Sequence, residues 1–325
     1  MSDNETELLR ASMRALLATV SEIELPQALI AEGWPELLRC DAASACRLLF
    51  EEQGAGRASS AALDLVLLDR LGHDPDAQLA VIWPSVRRAL EPSTRIADGA
   101  VSVSGVLLAG WQRATEYLVP AATAAETVLV RIPANLVRVT PLTGLDGSAQ
   151  LARAEATVPL AEVAIELGIE DAVSWPQLAT VAQRCIGYEL VGLASSMLAI
   201  AVQQVSQRHQ FGKAIATLQT VRHRLADIEV AIVAARRALD ASWSSGEPVV
   251  TWAAKALAWR AAATATRDGQ QVSGAMGFSW EHPLHQFGRR AHQLDSLLGP
   301  GSWLVDEIGR TLIASGVVPR APRLA

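Results

Sequence analysis

Apolar residues recur at helical spacing from the start of the chain. The stretch TELLRASMRALLATV carries them at intervals of three and four, and Trp34, Leu37 and Leu38 continue the pattern. SSAALDLVLLDRLG opens on serines suited to capping and stops at Gly72. This predicts a helical N-terminal domain over residues 1–75.

The pattern then changes period. ADGAVSVSGVLLAGW has the turn pair Asp98-Gly99, alternation at Val101 and Val103, and a second turn expected at Gly105. ETVLVRIP and LVRVTPL are short β-type runs stopped by proline, and GLDGSA is a further turn. Residues 76–170 therefore predict a small antiparallel β domain.

Helical spacing returns near Trp175. One helix is expected from about Pro176 to Gln207. A second runs from about Leu218 to Ser244, with Val221, Leu225, Ile228 and Ile232 on one side. A third covers Val249 to Ser273, a fourth runs from Pro283 toward Gly299, and a further helix reaches Ser315. Four long antiparallel helices with short joints describe a bundle over residues 171–325. The fold class is mainly α with a small β domain.

Composition narrows the function. Half of the 325 residues are hydrophobic but only 5% are aromatic, which favours helices over sheets. A net charge of −6 without a basic stripe argues against nucleic acid. Cys40, Cys46 and Cys185 have no CxxC spacing, so neither a disulfide framework nor a zinc site is expected. MSDNETELLR is too polar for a signal peptide, and the apolar run Ile186 to Val202 carries Glu189 in its middle. A cytoplasmic protein with no membrane span is the expectation.

Candidate chemistry concentrates in the joint SQRHQFGKAIATLQTVRHRLADIEVA, Ser206 to Ala231. It places Arg208, Phe211-Gly212 and Gln219 between two helices. Together with YELVGLASSMLAIAVQQV before it, this segment resembles the ELVG…R-x-x-FG…Q-x-x-x-H-x-L-A-D run of the acyl-CoA dehydrogenase family. QVSGAMGFSWEHPLHQFGRRAHQLDSLLG, Gln271 to Gly299, resembles that family's Q-V-H-G-G-x-G-F…RR…G segment, and RLLFEEQG, Arg47 to Gly54, has a counterpart as well. The order of helices, β domain and four-helix bundle is also that family's. The resemblance implies FAD, with Arg208, Phe211, Gln219, Gln271 and Gly274 reaching a flavin nucleotide held mainly by a neighbouring subunit. A guanidinium offers a planar fork to pyrophosphate, glycine admits close backbone approach, and glutamine both donates and accepts. Ala275 departs from the family's second glycine. The competing reading makes Arg208 a helix cap and Gly212 a simple break.

The catalytic carboxylate that the resemblance implies is missing. Its two usual positions fall on Leu298, before Gly299, and near Ala182. Glu189 and Asp295 are the nearby acids. Glu189 is expected to be structural, and Asp295 a surface or inter-helix charge. Residues 77–99 contain no T-E-P-x-x-G-S-D-like flavin loop. Trp280, Glu281 and His282 suit a helix start at Pro283, and His209 an exposed helix end. The resemblance thus points to the short, non-catalytic type of subunit in an α2β2 bacterial acyl-CoA dehydrogenase of the steroid-degrading kind. Its partner is a larger homologue that carries most of the acyl-CoA site. A self-sufficient homo-oligomer using Glu189 or Asp295, or a purely structural bundle, are the alternatives.

Overall fold

The computed structural model describes residues 3–21, 23–74, 78–85, 90–166, 174–210 and 212–317. Five helices come first: α1 (Asp3–Thr19), α2 (Leu25–Ala31), α3 (Trp34–Cys40), α4 (Ala42–Gly56) and α5 (Ala62–Arg70). Pro26 and Pro35 occupy the first turns of α2 and α3, where no N–H is needed. The Asp41 side chain caps α4 by accepting the Ser44 N–H at 3.1 Å. The cap expected from the serines before α5 takes a different form. The N-cap position falls on Ala61, which has no side-chain cap. Ser60 accepts the Ala62 N–H at 3.1 Å and donates to Gln53, tying the start of α5 to α4.

Among the described residues eight strands follow: β1 (Leu79–Val81), β2 (Thr94–Ala97), β3 (Ala100–Leu107), β4 (Glu116–Ala122), β5 (Thr127–Pro133), β6 (Arg138–Pro141), β7 (Ala152–Pro159) and β8 (Ala164–Glu166). They form one sheet in the order β6-β7-β3-β2-β4-β5-β8, with β1 also paired to β4. Asp98 (φ +52°) and Gly99 (φ +73°) make the tight β2–β3 turn that the sequence signalled. The sheet is mixed where an antiparallel one was expected, because β1 and β2 both run parallel to β4. β4 runs opposite to β3 and hence along β2. β7 takes the outer edge of β3, so β4 docks beside β2 and the pair is parallel. Gly105 is no turn either. It lies within β3 opposite Ala154, and a Cβ there would lie 2.4 Å from the Trp83 carbonyl oxygen. Glycine is needed for close strand approach.

The rest is helical: α6 (Trp175–Gln207), a two-residue hairpin β9 (His209–Gln210) and β10 (Lys213–Ala214), then α7 (Gln219–Ser242), α8 (Pro248–Ser273), α9 (Leu284–Asp295) and α10 (Gly301–Ser315). α6 is long and apolar enough to cross a membrane, but 67% of its most apolar window is buried inside the fold. Against α4 it packs glycine on backbone. A Cβ on Gly54 would lie 2.1 Å from the Glu189 carbonyl oxygen, and one on Gly192 the same distance from that of Glu51. The fourth bundle helix stops at Asp295, short of Gly299. The buried ammonium of Lys255 takes the carbonyls of Asp295 (3.1 Å), Leu297 (2.7 Å) and Gly299 (2.5 Å), bending the chain through Leu298 (φ +51°). Burial pulls the Lys255 amine down to about 8.

One core joins the N-terminal helices to α6, α7, α8 and α9 and takes in Val81, Trp83, Leu108 and Leu118 from the sheet region. A second lies within the β region around Val101, Leu107, Tyr117, Val119 and Ile132. Asp64 of α5 joins helices to sheet, accepting the Val81 N–H at 3.0 Å and the Trp83 indole N–H at 2.7 Å.

Candidate functional site

Three helix ends meet at one corner of the bundle. α6 ends as Arg208 turns extended (φ −81°, ψ 122°), and the Ile215 N–H donates to the Arg208 carbonyl at 2.9 Å, closing the hairpin around Gly212 (φ +77°). α7 begins at Gln219. α8 ends at Ser273, where Gly274 takes φ +65° and ψ −151°. Val205 and Val272 pack beneath, with Ile215, Val221 and Leu225 against them. A Cβ on Gly274 would lie 3.6 Å from Nη1 of Arg208, so this corner holds a guanidinium beside a bare stretch of backbone. Gln219 and Gln271 stand exposed on the adjoining helix ends. Phe211 lies outside the described residues.

Among the described residues no carboxylate pairs with Arg208, and the side chains of Gln219 and Gln271 make no hydrogen bond. Such free donors beside glycine backbone suit an anionic ligand, a phosphate above all. Ala275 is exposed. The competing helix-cap role for Arg208 has only its backbone N–H behind it, which donates to the Gln204 carbonyl at 3.0 Å.

The two positions where the family resemblance implies a carboxylate also meet. Gln183, next to Ala182, donates from Nε2 to the Leu298 carbonyl at 2.8 Å. Ala182 and Leu298 are both 2% exposed, and neither can move a proton. Asp295 is buried, not on the surface. It accepts the Gly301 N–H at 2.8 Å, holding the start of α10, and faces the Lys255 ammonium. Burial raises its pKa, against the pull of Lys255.

Glu189 lies in a buried polar network that the sequence did not reveal. Its Oε2 accepts from the Gln53 amide at 2.8 Å, and its Oε1 stands 3.5 Å from Nη1 of Arg290 without a hydrogen bond. Burial raises its carboxyl above the ordinary value, against the opposing pull of Arg290. Arg290 also donates to Asp146 (2.5 Å), the Ala58 carbonyl (3.0 Å) and the hydroxyls of Ser59 (2.8 Å) and Ser148 (3.2 Å). The network borders a cavity with about 480 Å³ of empty space, part of it open to solvent, lined on its apolar side by Phe50, Leu63, Ile186 and Leu297. The signals were present, since Gln53 is the last residue but one of RLLFEEQG and Arg290 is the second arginine of RR. Nothing in either run names its distant partner.

The remaining candidates are structural or exposed. His282 is buried at the start of α9, its ring nitrogen accepting the Leu284 N–H at 3.4 Å. α9 begins at Leu284, one residue after Pro283. Glu281 and His209 are exposed.

Known proteins resemble this chain in sequence and fold. Residues 180–314 match the family described as acyl-CoA dehydrogenase, C-terminal domain. The acyl-CoA dehydrogenase IpdE2 of Mycobacterium tuberculosis is 27% identical over 315 residues, covering 90% of this chain and 93% of the relative. Among solved structures, a variant of the Tcur3481-Tcur3483 steroid ACAD superposes with a TM-score of 0.77 at 20% identity, covering 96% of this chain and 98% of that one. The ChsE4-ChsE5 complex from Mycobacterium tuberculosis gives 0.75 at 20% identity, covering 98% of this chain and 99% of the matched one. At that identity the two structures speak for the fold alone.

Proposed function

We propose that this chain, whose residues 180–314 match the acyl-CoA dehydrogenase C-terminal domain, is the partner subunit of a heteromeric, FAD-dependent acyl-CoA dehydrogenase. The chain completes the flavin nucleotide pocket, and a larger homologue supplies the base and most of the acyl-CoA site. One observation carries this reading. The phosphate-type donors are free at the bundle corner, while both carboxylate positions are filled by buried apolar residues, Ala182 and Leu298. Names among its relatives point the same way, since the Tcur3481-Tcur3483 protein is a steroid ACAD and ChsE4-ChsE5 a complex. The substrate class proposed is accordingly a steroid-derived CoA thioester, and the assembly two copies of each subunit.

In this role Arg208 would hold the pyrophosphate through charge-assisted hydrogen bonds. Gly274 would leave its backbone open to the ligand, and Gln219 and Gln271 would hydrogen-bond polar edges of the nucleotide. FAD, when bound, supplies the hydride acceptor for α,β-desaturation. Removal of the α-proton would fall to the partner's carboxylate, since Leu298 and Ala182 cannot accept one.

The test is purification of the chain alone and with a larger homologue. The chain alone should retain little FAD and reduce no dye with any acyl-CoA, while the pair should do both and scatter light as a heterotetramer. Substrate-dependent dye reduction by the chain alone would overturn the reading.

A second reading rests on Oε1 of Glu189, which lacks a hydrogen-bond partner beside the cavity, a carboxylate that could serve as base in a homo-oligomer. It predicts an active yellow homomer that Glu189→Gln silences. The Gln53 and Arg290 contacts weigh against it, because they hold the carboxylate in place.

A further inference from the structure

Six residues beyond Gly274, the indole of Trp280 is 75% exposed, yet two side chains orient it. The His285 ring meets it edge-on at 4.6 Å between centroids, and the Arg289 guanidinium lies 5.0 Å from its centroid. The turn that carries it is tightly built. A Cβ on Gly277 would lie 2.7 Å from the Gln270 carbonyl oxygen and 2.8 Å from the Ser273 Cβ, so the turn closes directly on the end of α8. Phe278 beside it is also exposed, at 68%.

We propose that Trp280 is a stacking platform for the purine ring of a nucleotide whose phosphates lie at Arg208 and Gly274. This rests on the reading of the bundle corner given above and adds the element that recognises the base. An aromatic ring held in place but left uncovered offers a face on which a base stacks, and every base has such a face. A guanidinium beside the indole fixes it through a cation–π contact and adds positive charge where a polyphosphate passes. The spacing suits the ligand. The 3₁₀ turn ends at Phe278 and Ser279 is extended, so at about 2 Å per residue in the turn and about 3.3 Å beyond it Gly274 and Trp280 stand within about 15 Å of each other, a separation on the order of an extended adenosine diphosphate. A protein anchor is the competing occupant, since Phe278 (68% exposed) and Met276 (47%) share the turn with Trp280. The charged and polar companions His285, Arg289 and Glu281 favour a nucleotide instead, because anchor tryptophans sit in pockets depleted of such groups.

The experiment measures dissociation of FAD and of FMN, which lacks the adenine, from the complex with the larger subunit. Trp280→Ala, Trp280→Phe and Arg208→Ala are compared with the unaltered chain. Trp280→Ala should weaken FAD by roughly ten- to a hundredfold and leave FMN unchanged, and Trp280→Phe should keep most of the affinity. The same order is expected for ADP binding to the complex stripped of its FAD, read by calorimetry. Melts should be unaltered, since the ring contributes nothing to the core. Unchanged FAD affinity in Trp280→Ala beside a loss in Arg208→Ala overturns the platform alone, whereas no loss in either removes the corner as a nucleotide site. Equal losses of FAD and FMN, or dissociation of the subunits with FAD affinity intact, overturn the platform in favour of a protein contact.

Discussion

Arg290 and Asp146 meet across the seam between α9 and the loop before β7, Nε to Oδ2 at 2.5 Å, with side chains only 3% and 7% exposed. Burial by itself pushes the Asp146 carboxyl up, but Arg290 and Ser148 overcome it and hold it below its ordinary value. The same guanidinium faces Glu189 at 3.5 Å. Arg290 therefore faces two buried acids and joins three parts of the chain, with Arg57 a second, more distant cation to Asp146 at 3.7 Å. Arg290→Met strands Glu189 and leaves Asp146 with only the more distant Arg57 guanidinium at 3.7 Å, and should cost about 3–5 kcal/mol. Denaturant unfolding of the single variant against Arg290→Met with Glu189→Gln checks this, because the second change should restore part of the loss.

The α4–α6 contact depends on two glycines. A methyl group on Gly54 or Gly192 would lie 2.1 Å from a backbone carbonyl oxygen of the facing helix, and backbone cannot move aside as a side chain can. Gly54→Ala and Gly192→Ala should each destabilise by about 1–3 kcal/mol or more. Gly56→Ala on the same helix meets nothing within 4 Å and should be neutral or slightly stabilising. Equal melting temperatures for Gly54→Ala and Gly56→Ala would contradict the interlock.

Asp64 gives the fold a pH dependence of definite sign. Burial pushes its carboxyl from 3.8 to about 7, although the Val81 and Trp83 N–H groups oppose the shift. Between about pH 4 and 7 the folded chain holds a proton that the unfolded chain has released. Stability therefore falls as pH rises through that window, by up to about 4 kcal/mol. Asp64→Asn should flatten this slope while lowering stability at pH 4 through a weakened contact to Val81 or Trp83. Urea midpoints measured from pH 4 to 8 on both proteins decide it.

Arg208 should matter for flavin and little for folding. A charge-assisted hydrogen bond is worth about 1.5–3 kcal/mol, so Arg208→Ala should weaken FAD retention in the complex by roughly ten- to a hundredfold. Arg208→Lys should recover part of it, keeping the charge without the fork. Turnover at saturating FAD should change far less. A fall in melting temperature with unchanged FAD affinity would identify Arg208 as a helix cap instead.

The order of helices, strands and helices was legible along the chain because it is written in local periodicity. A side chain's exposure within one element depends on spacing of 3.6 or 2 residues, and the Asp98-Gly99 turn needs only its own two residues. The residues of the bundle corner were legible as motifs for the same reason, each lying within one short run. What the sequence could not decide depends on partners far along the chain. β2 runs parallel to β4 because β7 takes the outer edge of β3, and β1 adds a second parallel pairing to β4. α9 ends at Asp295 because Lys255 on another helix claims three carbonyls. Gly105 serves close packing against Trp83 and makes no turn. Glu189 is locked by Gln53 and Arg290, and Arg208 stands beside Gly274, only once α4, α6, α8 and α9 have packed. Hydrophobic spacing specifies which face of each element is buried, but hydrogen bonds and charges are short-ranged, so their pairing exists only in the folded arrangement.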